Sequence, residues 1–348
     1  MQKTSRRQAS RTATNNQLHS CTLSMAILVI HGGAGGDGPW LGKTPLDPGR
    51  IDCMKKVLKV VGRRLESGEI DCLEAVTLAV EMLEDEPLFN AGQGSVIGED
   101  GSITMDASIM RGLDKAAGSV INVTKLRHPI RAANFILQRG WPVMLNSSAA
   151  DDFGILSGVE QVSQEWLKTE LRQGQWNQWK QSKLNPGVTD EDDSVLDHDL
   201  EGRVSTEFSD EGMGTVGAVA LDSNGNLAAA TSTGGMTGKP VGRVGDTPII
   251  GAGTWSDDTI AVSCTGVGEA YIRTCAAHSL ATSYHSSGKL NESADKVLDD
   301  VAPLGGRGGL IAVTSHGQLT MPFQTRLMYR GYWDNRNIKV GIGPDFEP

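Results

Sequence analysis

Aromatic side chains are scarce: Phe, Trp and Tyr together make up 5% of the chain, too little for the stacking platform on which single-stranded nucleic acid is read. No stretch approaches the ~20 consecutive apolar residues of a membrane span. The cysteines (Cys21, Cys53, Cys72, Cys264 and Cys275) form no C-x-x-C pair and no zinc spacing, so free thiols in a reducing, cytoplasmic compartment are expected. H-E-x-x-H and G-x-S-x-G are also missing, which removes the zinc-protease helix and the nucleophile elbow. A basic footprint for nucleic acid is absent, since the formal net charge is −10. That charge is concentrated. Between Asp190 and Glu211 stand 10 carboxylates against Arg203 alone, so the rest of the chain is nearly neutral.

What remains is globular in kind. A hydrophobic content of 39% with 21% charged residues supplies a sizeable core. Residues 1–24 are rich in Ser, Thr and Arg, with four basic and no acidic side chains. They read as a mitochondrial transit peptide or as a disordered extension ahead of a folded chain that starts at Met25.

"AILVI" is a buried strand by length and β-branching. The glycines at 33, 35 and 38 then match G-x-G-x-x-G formally. A dinucleotide fold needs them to open a helix. Pro39-Trp40 follow instead, and helical periodicity resumes only near Ile51, so that reading is rejected. Helices are expected over about Ile51–Glu66, Cys72–Leu83 (Asp71 as N-cap) and Pro129–Arg139. A polar helix over 163–182, with Trp166, Trp176 and Trp179, reads as peripheral packing. Residues 185–214 show no apolar period and read as a flexible acidic linker. Strands crowd the remainder: "TVGAVALD" and "NLAAATS" around a Ser-Asn-Gly turn, "PIIGAGTW", "TIAVSCTG", and a hairpin of "GGLIAVTS" with "QLTMPF". A helix is expected from Gly268 to Leu280. Helices first and strands later imply packed antiparallel sheets with helices outside.

Thr215 is the oddity. It opens a strand behind Gly214 at the end of the acidic tract, with no polar lead-in. A threonine hydroxyl is a weak nucleophile without a nearby base. Cleavage of the bond before Thr215 would free its own α-amine, whose pKa of about 8 lets it take the hydroxyl proton near neutral pH. Attack by the same hydroxyl on the Gly214 carbonyl would make that cut, at a residue that tolerates a strained backbone. From pattern alone, a Gly-Thr-Val run that merely begins a strand is the competing reading.

The segment "GTVGAVALDSNGNLAAATSTGGMTGKPVGRVGDTPIIGAGTW" resembles the start of the β-chain in plant-type asparaginases, also called isoaspartyl peptidases, among the N-terminal nucleophile hydrolases. "IHGGAGG", "LFNAGQGSV", "MDASIM", "SCTGVGEAYIR" and "MPFQT" follow the family's order, and the similarity spans roughly Ile27 to Gly343. It implies a four-layer αββα sandwich of two facing antiparallel sheets, in one domain (25–348) matured into an α chain ending at Gly214 and a β chain starting at Thr215. It also implies catalytic Thr215, Thr233 and Thr265, with Asn90 near the oxyanion. Arg243 and Asp246 match the grips on the substrate's α-carboxylate and α-amine, and Gly266 and Gly268 match backbone contacts to it. A planar guanidinium suits a carboxylate and a carboxylate suits an ammonium; the competing reading of Arg243 and Asp246 is a surface ion pair. The turn Thr265–Gly268 reads as a source of free N–H groups for an oxyanion, or as simple capping.

By resemblance only, a structural sodium ion is held by backbone carbonyls of Leu83, Glu84, Glu86, Phe89, Ala91 and Gln93; no organic cofactor is expected. The implied assembly is a homodimer of αβ heterodimers. The implied activity is hydrolysis of the side-chain amide of L-asparagine and of β-aspartyl dipeptides. A related threonine hydrolase of different specificity, acting on glycosylated asparagine or after aspartate, and a non-catalytic binding protein are the alternatives.

Overall fold

The computed structural model describes residues 25–35, 48–184, 214–335 and 337–344; the extension 1–24 and the linker up to residue 213 lie outside them. Strand β1 (Ile27–Gly35) is followed by helices α1 (Pro48–Glu66) and α2 (Cys72–Glu84), then β2 (Met105–Arg111), β3 (Ala117–Val123), α3 (Pro129–Arg139), β4 (Met144–Asn146) and α4 (Ser147–Leu156). Two helices close the first half, α5 (Gln164–Leu167) and α6 (Glu170–Leu184). The second half runs β5 (Val216–Leu221), β6 (Leu227–Thr233), β7 (Thr254–Ser256), β8 (Ile260–Gly266), α7 (Gly268–Thr274), α8 (Ala276–Ser287) and α9 (Leu290–Val301). It ends with β9 (Gly308–Thr314), β10 (Leu319–Thr320), β11 (Leu327–Asp334) and β12 (Asn337–Gly341).

Two sheets result, one of eight strands in the order β12-β11-β1-β5-β6-β2-β3-β4 and one of four in the order β10-β9-β8-β7. Strand alternation sorts the core into three layers. Leu28 and Ile30 of β1, with Ala218 and Ala220 of β5, face α1, α2 and α3. Ile27 and Val29, with Val219 and Leu221, point the other way and meet Ala261, Ile311 and Val313 of the small sheet. Ile260, Val262, Leu310 and Ala312 on that sheet's far side pack under α8 and α9. Strands buried on both faces need apolar residues at every position, which is why "ILVI", "VAL" and "LIAV" lack polar alternation. The expected four layers are present.

Local chemistry explains several boundaries. The Asp71 carboxylate accepts the Glu74 N–H at 2.8 Å and caps α2. Pro129 stands in the first turn of α3 and Gly140 ends that helix in the left-handed region.

Four expectations are corrected. The sheets are not wholly antiparallel, because β3 and β4 pair in parallel, Ser119 against Met144. "PIIGAGTW" is strand only from Thr254, because the preceding backbone closes on itself: Ile249 N–H donates to Asp246 O and Ala252 N–H to Ile249 O. The helix expected over 268–280 breaks at Cys275, which takes φ 47°. The break lets the first N–H groups of α8 donate to Ala252 O and Gly251 O (3.1 and 2.9 Å). The polar helix over 163–182 is also two helices, parted at the extended Lys168. Of the rejected dinucleotide motif, Gly33 and Gly35 lie inside β1, with a register shift between His31 and Gly33, while Gly38 and the residues after it lie outside the described residues.

Candidate active site

The β5–β6 hairpin builds the centre of the site. Val216 pairs with Ser232 across the ladder, so Thr215, one residue ahead of β5, meets Thr233 at the end of β6. The Thr215 hydroxyl donates to Thr233 Oγ1 at 3.1 Å. Thr215 is only 8% exposed. Thr233 Oγ1 also accepts the Gly235 N–H at 3.0 Å, so its position is set by the turn that follows β6. The bond before Thr215 rests on β1: a side chain at Gly33 would overlap the backbone of Gly214. Gly33 has φ 106°, so sterics and dihedral both demand glycine there.

Asn90 braces the same turn from the other side. Its Nδ2 donates to Gly235 O at 2.7 Å and its Oδ1 accepts the Val96 N–H at 3.0 Å. Its carbonyl accepts the Gly234 N–H at 3.0 Å. Thr265, at the end of β8, is buried with its Oγ1 unpartnered among the described residues. Gly266 follows with φ 149°. Gly268 packs tightly on Asp246, since a Cβ there would stand 2.9 Å from the Asp246 nitrogen and 3.0 Å from Oδ1. The Thr265–Gly268 turn is less open than expected, because the Val267 N–H donates to Arg307 O at 2.9 Å.

Arg243 and Asp246 are not an ion pair with each other. Arg243 donates through Nε and Nη2 to both carboxylate oxygens of Glu269 (2.9 and 2.8 Å), while Nη1 faces Gly235 and Gly245. Asp246 is buried and its Oδ2 has no hydrogen-bond partner among the described residues. Burial pushes its carboxyl up to about 7, with Arg243 opposing the shift. A buried carboxyl with an empty oxygen suits an incoming cation.

Three residues near the site escaped sequence reasoning. Lys239 is 5% exposed, and its Nζ donates to Gly234 O at 2.7 Å and Thr104 O at 2.8 Å. Glu269 orients Arg243, and only its place in "GVGE" hinted at it. His31 is fully buried, with Nε2 at 2.9 Å from Ser263 Oγ. Burial drives its pKa down to about 3 against the opposite influence of the Thr215 backbone, so its ring is neutral. The tryptophans are less peripheral than expected. Trp176 donates to Gly98 O at 2.8 Å, and Trp179 lies so close on Gly238 that a side chain there would overlap its ring. Helix α6 thereby backs the loop that carries Lys239 and Arg243.

In the loop after α2, backbone carbonyls crowd around two glycines. A side chain at Gly92 would overlap Glu84 O, and one at Gly94 would overlap Phe89 O. The carbonyls of Leu83, Glu86 and Ala91 accept N–H groups of Glu86, Phe89 and Gly94 (3.3, 3.1 and 3.2 Å), which uses one of the two lone pairs of each. The Glu84 side chain turns away, accepting from Ser232 Oγ at 2.6 Å and Ile130 N–H at 3.1 Å. The Gln93 side chain donates to Trp166 O at 3.5 Å. Cys53, Cys72, Cys264 and Cys275 are free thiols, and Cys21 lies outside the described residues. No helix among the described residues is long and apolar enough to cross a membrane.

Comparison with known proteins bears on this arrangement. The sequence profile of the family described as Asparaginase matches residues 24–342. The isoaspartyl peptidase of Escherichia coli (strain K12) is 41% identical over 313 residues, covering 89% of this chain and 93% of the relative. The isoaspartyl peptidase/L-asparaginase of Xenopus laevis is 36% identical over 318 residues, 91% of this chain and 94% of the relative. The protein of that same name in Rattus norvegicus is 35% identical over 322 residues, 91% of this chain and 88% of the relative. With a profile match across nearly all of the folded region and a threonine pair buried at the head of β5 and the end of β6, the chain belongs to the Asparaginase_2 family of hydrolases.

Proposed function

We propose that this hydrolase cuts itself before Thr215 and then hydrolyses the side-chain amide of L-asparagine and the isopeptide bond of β-aspartyl dipeptides, releasing L-aspartate. The observation that carries this reading is the Thr215 hydroxyl, buried at 3.1 Å from Thr233 Oγ1, with the Gly214 backbone seated on Gly33.

In maturation, the Thr215 hydroxyl adds to the Gly214 carbonyl carbon. The C–N bond breaks, the new α-amine takes a proton, and water hydrolyses the resulting ester to leave a free carboxylate at Gly214. In turnover, the same Oγ adds to the β-carbonyl of the substrate while the freed α-amine accepts its proton. The amine returns that proton to the departing nitrogen, so ammonia or an amino acid leaves and an acyl ester remains. Water then attacks the ester and frees aspartate. Thr233 and Thr265 supply hydroxyls beside the reacting centre. Gly266 and Gly268 contribute backbone. Asn90 acts through the Gly234–Gly235 turn that it braces.

Substrate recognition divides by charge. Arg243, already oriented by Glu269, meets the α-carboxylate with its remaining N–H groups. Asp246 meets the α-ammonium, which restores an ionic partner to a carboxyl that burial otherwise holds towards neutrality. The crowded carbonyls of the loop 83–93 are hard oxygen donors that fit a sodium ion as a structural group. We further read the mature form as a pair of αβ units, and the free thiols as favouring a reducing compartment, the cytoplasm or, if residues 1–24 are a transit peptide, the mitochondrion.

The test is maturation. Purified protein run on a denaturing gel is expected to give two fragments, the smaller one beginning Thr-Val-Gly-Ala-Val. Thr215→Ala is expected to stay intact and inactive on L-asparagine and β-aspartyl dipeptides alike, while Thr215→Ser cleaves and turns over to a reduced extent. The same two fragments from Thr215→Ala would mean that an outside protease cuts the acidic tract, and activity in an uncut chain would sink the reading.

A further inference from the structure

Lysine is among the side chains least often fully buried, because an ammonium loses much of its hydration inside a protein. Lys239 is buried nevertheless, and no carboxylate among the described residues lies within salt-bridge distance of it. Its ammonium is answered by two backbone carbonyls, Gly234 O at 2.7 Å and Thr104 O at 2.8 Å. The first belongs to the turn after β6, and the second to the residue just before β2. These strands run side by side with Asp106 paired to Thr233, so Lys239 ties the end of β6 to the start of β2. Its own backbone is fixed too: the Glu99 N–H donates to Lys239 O at 3.0 Å, and the neighbouring Gly238 N–H to Ile97 O at 2.8 Å.

The turn that Lys239 holds reaches the nucleophile in two steps. The Gly235 N–H donates to Thr233 Oγ1 at 3.0 Å, and Thr233 Oγ1 accepts the Thr215 hydroxyl at 3.1 Å. Asn90 grips the turn through Gly235 O and Gly234 N–H, and Lys239 grips it through Gly234 O. We propose that Lys239 is a positioning residue, whose ammonium holds the Gly234–Gly235 turn and, through Thr233, aims the Thr215 hydroxyl at the carbonyl under attack. This rests on the reading of Thr215 as nucleophile. It touches neither substrate nor reacting atoms.

The charged groups that bear on the ammonium are Asp106 from β2, Asp100 from the turn before it, and Arg243 from its own loop. Burial pulls its pKa down to about 8, Arg243 adds to that fall, and Asp106 and Asp100 oppose it. The ammonium is therefore charged at neutral pH and loses its proton in the mildly alkaline range. With it goes the charge that strengthens both hydrogen bonds.

The test is made on matured enzyme with L-asparagine, separating kcat from KM across pH. Lys239→Met keeps the stem and removes the ammonium. It is expected to lower kcat by ~10- to 100-fold through misaimed attack, while KM changes little because Arg243 and Asp246 remain. Wild-type kcat is expected to fall above a pH of about 8, whereas the reduced kcat of Lys239→Met stays flat there. Asp106→Asn removes a charge that holds the proton on Lys239, so the alkaline fall should move to lower pH. That variant decides the matter if Lys239→Met does not mature. An unchanged kcat in Lys239→Met, a change confined to KM, or an alkaline limb that stays in place in Asp106→Asn would each overturn the proposal. None of these outcomes would restore activity to Thr215→Ala, so failure here is distinct from failure of the nucleophile.

Discussion

Between the two sheets, a chain of buried side chains passes hydrogen bonds from residue to residue. His31 Nε2 meets Ser263 Oγ at 2.9 Å, Ser263 meets Thr231 at 2.7 Å, and Thr254 donates to Thr231 at 2.6 Å. Ser108 bonds Thr254 Oγ1 at 2.8 Å and Thr247 O at 2.6 Å. At the end of β8 and in the loop between β6 and β7 the picture reverses, for Thr265 Oγ1 and Asp246 Oδ2 are buried with no partner among the described residues. Both groups are polar and buried. In the first, each of the hydroxyls of Ser108, Thr231, Thr254 and Ser263 has a partner, and the bonds tie the two sheets together. In the second, orphaned atoms carry a desolvation cost that a bound ligand relieves. Thr265 Oγ1 and Asp246 Oδ2 differ in this from the paired hydroxyls of the network, although His31 Nδ1 at its head also lacks a partner among the described residues.

The largest effect should come from the site's charged grip. Arg243→Lys keeps the charge, but one ammonium reproduces neither the paired bonds to Glu269 nor a second pair to a carboxylate. A loss of ~1.5–3 kcal/mol is expected, read as a fall of roughly ten- to a hundredfold in kcat/KM, while self-cleavage continues because it needs no substrate. Unchanged kcat/KM would remove Arg243 from the recognition role.

The same substitution made in each network sharpens the contrast. Thr254→Val strands Ser108 and Thr231 without their shared partner and should cost ~1–3 kcal/mol in unfolding free energy, leaving turnover nearly intact after maturation. Thr265→Val removes a hydroxyl that has no partner among the described residues. It should leave stability unchanged or slightly improved while turnover falls. Denaturant melts beside kcat measurements would separate the two, and equal stability losses would erase the distinction.

Asp246 supplies a pH signature on the site's side. Its carboxyl is raised to about 7 by burial, so KM for L-asparagine should climb as pH drops below that value and the anion that receives the ammonium is lost. Asp246→Asn should abolish that acid rise. An identical rise in the variant would assign it to another group.

The smallest expected effect lies in the structural network. His31 is lowered from 6.5 to about 3 by burial, so the unfolded chain binds a proton that the folded protein refuses. Its contribution to stability is therefore present above pH 6.5 and lost as pH falls towards about 3. His31→Gln should lessen the acid dependence of the unfolding free energy by up to one proton's slope. Parallel curves for the two proteins would show that the ring is not buried as a neutral group.

Much of the site was legible before the fold was known. Thr215 and Thr233 stand at equal distances from Asn224 at the centre of the Ser-Asn-Gly turn, so a hairpin of regular register must bring them together. Arg243, Asp246, Thr265 and Gly268 were found by family resemblance. Their pairing was not: a short Arg–Asp spacing suggested an ion pair, and the partner that closes on Arg243 comes from α7. Strands β11 and β12 escaped notice because Arg330, Asp334 and Asn337 interrupt their apolar pattern. Arg330 is buried and donates to Gly343 O through Nη2, so its charge is spent inside the sheet edge.

The division follows from the range of the forces involved. Periodicity, turn chemistry and caps act over a few residues, and by themselves they determined the hairpin, the helices α2 and α3, and a threonine set behind a glycine at the head of a strand. Contacts between residues far apart in the chain were decided only when the layers packed. Gly33 became the seat of Gly214, Lys239 was sealed beneath the Gly234–Gly235 turn, and Glu269 swung onto Arg243. Each depends on a close approach between segments that no local pattern encodes, because burial and desolvation are properties of the assembled interior rather than of the chain.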